Sequence, residues 1–142
     1  MEIEINTLIE QSKKELLVFS SIKLIYTFLD KDNFVKNLMP LLRRGVSIKI
    51  LVDDINRDLL NQIITINNNN MNELIQFGYT NKLGNFDEMI IINDNKCILQ
   101  IRYDQQNELV ASFSNEEHSV WIQEILLEKY WNDVNSLTVF NN

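Results

Sequence analysis

His118 is the only histidine and Cys97 the only cysteine among 142 residues, and those two side chains bound the chemistry open to this chain. A zinc site draws three or four ligands chiefly from His and Cys, so none of ordinary composition can be assembled. A Ser-His-Asp hydrolase would need His118 to meet a nucleophile, yet no G-x-S-x-G elbow precedes a helix, and His118 falls in a helical first turn where it reads as a solvent-facing residue. The glycines Gly45, Gly78 and Gly84 are too few and too far apart for a dinucleotide loop or a phosphate-cradling loop. What remains is an octet, Asp87-Glu88-Met89-Ile90-Ile91-Ile92-Asn93-Asp94. A carboxylate at Asp87 repels a phosphodiester, and Met89 carries no charge to neutralise one. Asn93-Asp94-Asn95 serves equally well as a hairpin turn.

The elements that would position these residues follow from periodicity. With 45% hydrophobic and 23% charged side chains the chain suits one globular domain, and a formal charge of −7 disfavours nucleic-acid binding, which needs cations against phosphates. No leader and no apolar run long enough for a membrane helix is evident, so a cytoplasmic domain without membrane insertion is expected, and no cofactor is implied. Ile5, Leu8, Ile9 and Ser12 predict an amphipathic helix over Glu2 to Lys14. Glu15 to Ser20 reads as a buried strand. Asp30 or Asp32 can cap a helix carrying Phe34, Val35, Leu38, Leu41 and Leu42, kinked at Pro40 and ended by Gly45. The doublets Lys13-Lys14 and Arg43-Arg44 then sit at helix C-termini, where cations offset the macrodipole.

Val46 to Val52 is a second strand, and the connection is long enough for a right-handed parallel crossover. Asn56 to Ile66 forms a helix, Asn67 to Asn70 a surface loop, and Leu74 to Tyr79 either a third strand, the favoured reading, or a helix tail. Three further strands, Glu88 to Asn93, Lys96 to Tyr103 and Glu108 to Phe113, are joined by turns at Asp94-Asn95 and Asp104 to Asn107. Ser114 to about Val134 is a last helix, with Ser114-Asn115-Glu116-Glu117 at capping-box spacing. Val120, Leu127, Trp131 and Val134 share one of its faces, and Ile122, Ile125 and Leu126 lie nearly opposite. One face can cover the sheet. The other calls for a second layer, from the Glu2 to Lys14 helix or from a partner subunit, so a homodimer through this helix is one expectation.

This order of elements, with the octet and a late Tyr130-Trp131, resembles the phospholipase D-like fold: a mixed α/β sheet with a parallel β-α-β N-terminal half, antiparallel C-terminal strands and flanking helices. In register with that family's H-x-K-x-x-x-x-D motif, Asp87 stands in place of the histidine nucleophile, Met89 in place of the phosphate-binding lysine, and Asp94 is retained. The resemblance therefore implies a catalytically degenerate member, not an enzyme. Lys14-Glu15-Leu16-Leu17-Val18-Phe19-Ser20-Ser21 and Leu42-Arg43-Arg44-Gly45-Val46-Ser47-Ile48-Lys49-Ile50-Leu51 resemble sensor segments of archaeal, particularly thaumarchaeal, histidine kinases. Ala111-Ser112-Phe113-Ser114-Asn115 and the helix through Glu128-Lys129-Tyr130-Trp131 add to the likeness. It implies a signal-input domain for an unknown small-molecule or protein signal, with no kinase core of its own. The effector domain of archaeal TrmB-type transcription regulators is similar and gives the alternative implication. A structural dimerisation module is the third.

In open α/β sheets ligands collect beyond the carboxyl ends of parallel strands. Here that rule selects Ser20, Ser21, Asp53, Asp54 and Tyr79, with Asp87 opening the neighbouring strand and Tyr26 and Phe28 of the segment Ile22 to Leu29 as walls. Such a cleft suits a neutral polyol or a cation better than a phosphate. Each residue also has a plainer role, Asp53 or Asp54 as a cap, Ser20 and Ser21 as strand-end hydrogen-bonders, and Tyr26 and Phe28 as core.

Overall fold

Residues 15–20 and 47–52 read Glu-Leu-Leu-Val-Phe-Ser and Ser-Ile-Lys-Ile-Leu-Val, apolar on both alternating faces, as strands covered on two sides are. In the computed structural model, which describes residues 2–28, 36–54, 56–69, 75–80, 87–132 and 135–136, they are the two central parallel strands. The order along the chain is α1 (Glu2–Glu10), β1 (Glu15–Ser20), α2 (Ile22–Phe28), a 3-10 turn (Lys36–Leu38), α3 (Met39–Arg43), β2 (Ser47–Val52), α4 (Arg57–Asn68) and β3 (Ile75–Tyr79). Then follow β4 (Glu88–Asn93), β5 (Cys97–Tyr103), β6 (Leu109–Ser114), α5 (Glu117–Asn132) and the two-residue β7 (Asn135–Ser136).

The sheet runs β6-β5-β4-β1-β2-β3-β7. β1, β2 and β3 are parallel, and β4, β5, β6 and β7 each join antiparallel. The parallel β-α-β half and antiparallel second half thus agree with the sequence expectation. Leu16, Val18, Ile48, Ile50, Phe77, Met89 and Ile91 lie in one core with side chains of α1, α2, α3 and α4. Phe19, Leu51, Ile90, Ile92 and Ile98 lie in the other, covered by Val120 and Leu127 of α5. Four helices therefore share one face of the sheet and α5 has the opposite face.

Several local expectations change. The first helix ends at Glu10, before Lys14: buried Ser12 turns its hydroxyl back to the Leu8 carbonyl, and Lys13 and Lys14 leave the helix with their amides on Asp94. Arg44 supplies the cation at that terminus, its guanidinium donating to the carbonyls of Glu10 at 2.8 Å and Ser12 at 3.0 Å. Pro40 does not kink a long helix but sits in the first turn of α3, where its missing N–H costs nothing. The proposed start at Asp30 or Asp32, with Phe34 and Val35, lies outside the described residues. Gly45 ends α3 at φ +81°, with Gly45 N–H on Leu42 O and Val46 N–H on Leu41 O, a Schellman arrangement.

The polar tract also divides. Asn67 and Asn68 extend α4, and Asn67 is buried because its amide exchanges two hydrogen bonds with the Ile75 backbone, fastening α4 to β3. Asn56 caps α4 by accepting from Leu59 N–H. Ser114 belongs to β6 and accepts from Glu116 N–H, while the Glu116 carboxylate caps α5 by accepting from the amides of His118 and Ser119. The last helix consequently starts three positions later than its Ser114 spacing suggests, at Glu117. Its outer face gains no cover from α1, which packs on the opposite side of the sheet.

Candidate functional site

The two ends of the octet have separate environments. Asp87 is exposed just before β4, whereas Asp94 follows it, and a six-residue strand puts roughly 20 Å between them. Met89 between them is fully buried in the four-helix core, opposite Ser20 and Ile101. Asp94 and Asn95 adopt left-handed φ values of 56° and 58° in the three-residue loop between the paired Asn93 and Cys97, so the turn reading of Asn93-Asp94-Asn95 holds. The Asp94 carboxylate accepts from the backbone amides of Lys13 at 2.9 Å, Lys14 at 2.7 Å and Glu15 at 3.0 Å. Partial burial works to raise its pKa, but these amides, with Lys96 nearby, outweigh it and hold the carboxyl below its ordinary value.

At the carboxyl ends of β1 and β2, the sequence-selected residues gather and bond to the fold itself. Ser20 is buried and donates to the Ser21 carbonyl. Ser21, also buried, accepts from Leu24 N–H, and Asp53 accepts from Ile22 N–H at 2.9 Å, so the two side chains cap the start of α2. Ser21 N–H donates to Glu88 O, which brings β4 and the adjacent Asp87 to this end. Asp54 is exposed and Tyr79 half-buried at the end of β3. Tyr26 lies on α2; burial, then Asp58, raises its hydroxyl pKa, against a hydrogen bond with the Asn56 side chain. The Phe28 side chain and Leu29 lie outside the described residues.

A different site lies beneath α5. Between this helix and β1 and β2 is a cavity of about 190 Å³. Leu17, Phe19, Leu51, Leu127 and Trp131 form its apolar walls. Its polar lining is Glu15, Lys49, Asn95, Glu124 and Glu128, three carboxylates against one ammonium. Lys49 arrives here because β2 alternates: Ile48 and Ile50 face the four-helix core, leaving position 49 on the α5 side beside Leu17. Its Nζ lies 5.6 Å from the centre of the Trp131 ring, within cation–π range.

Glu124 is the least satisfied group in this cavity. Its Oε1 is buried without a hydrogen-bond partner among the described residues. Burial, then the charges of Glu15 and Glu128, raises its pKa. An additional donor or positive charge would relieve all of these effects. No three His, Cys, Asp or Glu side chains among the described residues are grouped to hold a metal ion.

The octet meets this cavity through its final residue. Asp94 fixes the backbone of Glu15, and Asn95, its neighbour in the turn, contributes to the lining. Sequence reasoning directed attention to the carboxyl ends of the strands and missed Glu15, Lys49, Glu124 and Glu128. A signal for one was present: Glu124 interrupts the Val120, Leu127, Trp131 face, where an apolar side chain would have completed the stripe. Among the described residues no helix is long and apolar enough to cross a membrane. No protein-family model and no curated protein matches the chain.

Proposed function

We propose that the chain is a non-catalytic signal-input domain of phospholipase D-like architecture, and that its signal is a small organic cation held beneath α5. Its main support is Glu124, a partly buried carboxylate with an unpartnered oxygen in a cavity where carboxylates outnumber ammonium groups by three to one. Burial of an unsatisfied acceptor costs stability, and a ligand ammonium would remove that cost while its carbon chain meets Leu17, Leu127 and Trp131. The cavity is smaller than ordinary small-molecule sites, which leaves room only for a short amine. Replacement of the motif's histidine and lysine by Asp87 and Met89 favours sensing over phosphodiester cleavage. The resemblance to archaeal histidine-kinase input segments makes a kinase the proposed output. A purely structural dimerisation module is the second reading, favoured by the uncovered apolar face of α5.

Thermal unfolding with cadaverine, agmatine and tyramine, set against sorbitol, glucose and phosphate, tests the ligand class. An amine at a hundred times its Kd adds about 2.7 kcal/mol, which raises Tm by roughly 5–10 °C for a chain of this size. Amines that leave Tm unchanged, or polyols and phosphate that raise it equally, would remove the basis for a cation sensor. Turnover of a generic phosphodiester that disappears on Asp87→Ala would contradict the non-catalytic part.

A further inference from the structure

We infer that the ligand beneath α5 is a short ω-amino acid, with its ammonium at Glu124 and its carboxylate at Lys49, an inference that rests on the cation site proposed above. A bare amine answers only one end of the cavity. Lys49 enters it from β2 among three carboxylates, yet its ammonium makes no ion pair among the described residues and rests against the Trp131 ring. Glu15 and Glu128 raise the Glu124 pKa with no offset from Lys49, so the ammonium and the unpartnered carboxylate are well separated. An amine bound at Glu124 would place a second cation in a cavity of about 190 Å³ that already holds this one. A carboxylate on the same ligand turns that repulsion into an ion pair.

The spacing of the two groups selects the length of the ligand. Glu124 and Trp131 are seven residues apart on α5, about 10 Å along its axis, and Lys49 lies at the Trp131 end. Ion pairs of about 3 Å at each end leave about 4–5 Å between the ligand's own charged groups. A three- or four-carbon ω-amino acid spans that separation, whereas an α-amino acid holds its charges too close together. Its methylenes then lie along Leu17, Leu127 and Trp131. Glu128 is exposed, so water and salt screen its repulsion of the ligand carboxylate. A diamine of equal length would instead set ammonium against ammonium at Lys49.

Isothermal titration calorimetry of the 142-residue chain with γ-aminobutanoate, butylamine, putrescine and α-aminobutanoate tests this assignment. The carboxylate should make γ-aminobutanoate bind about 10-fold more tightly than butylamine. Its isomer α-aminobutanoate, with the same charges closer together, should gain none of that preference. Lys49→Arg keeps the preference, since the positive charge remains. Lys49→Met reduces it to within about 2-fold and binds putrescine about 5-fold more tightly than the parent chain does, a gain that an unfolded variant could not show. Butylamine bound as tightly as γ-aminobutanoate, a preference that survives Lys49→Met, or α-aminobutanoate bound as well as its isomer would overturn the inference and leave the cation site standing. If none of the four ligands binds, the cation site falls with it.

Discussion

Replacing Glu124 by glutamine should make the chain more stable at neutral pH and less responsive to cations. The Glu124 pKa is raised by burial first and by Glu15 and Glu128 next. The folded protein therefore holds this proton more tightly than the unfolded chain does. Its contribution is fully present below the ordinary value of 4.5 and is lost as pH rises through the raised folded value. Because solvent screens part of the carboxylate, the penalty at pH 7 is roughly 0.5–1 kcal/mol. Glu124→Gln removes the charge without changing volume, so Tm should rise by about 2–4 °C at pH 7 and shift little at about pH 4. Urea unfolding of both proteins at the two pH values gives the comparison, read from midpoints at constant m. A variant no more stable than the parent at neutral pH, or one whose advantage is as large in acid, would refute the assignment of Glu124 as the strained group. A residue that lowers stability and improves ligand response is the trade-off expected of a functional site.

Two further substitutions examine how the elements are held. Asp94→Ala deprives the amides of Lys13, Lys14 and Glu15 of their acceptor and forces alanine into a left-handed turn, for a loss of about 2–3 kcal/mol; Asp94→Asn, which tolerates the turn and keeps one acceptor, should lose about 1 kcal/mol. The lowered Asp94 pKa adds stability above the ordinary 3.8 that is lost as pH falls through the folded value, so this part of the acid limb should flatten in Asp94→Asn, as urea melts between about pH 2 and pH 4 would show. Asn67→Ala removes two buried hydrogen bonds to Ile75 and should cost about 2–4 kcal/mol, with faster amide exchange at Ile75 as the local readout.

The sheet was largely legible because its strands carry strong local signals. The double-sided apolar runs of β1 and β2, the Asp94-Asn95 turn and Gly45 each specify one conformation. Helix ends were less legible because their partners are distant in sequence: Glu10 O is capped by Arg44, and Lys13 to Glu15 are held by Asp94. Asn67 looks like loop material until its amide meets Ile75. The residues chosen at the carboxyl ends of the strands do converge, but Ser21 and Asp53 are engaged in capping α2. The cavity depends on which face of the sheet α5 covers, and periodicity alone does not specify that. Glu124 on the buried stripe was the available clue.

Fluorescence of Trp131 in a Trp121→Phe background, where it is the sole tryptophan, offers the most direct test of a cation beneath α5. Titration with agmatine should give a saturable change that vanishes in Glu124→Gln, with sorbitol and phosphate silent. A signal indifferent to agmatine, cadaverine and tyramine in the folded protein, or one that survives Glu124→Gln unchanged, would contradict the proposed site.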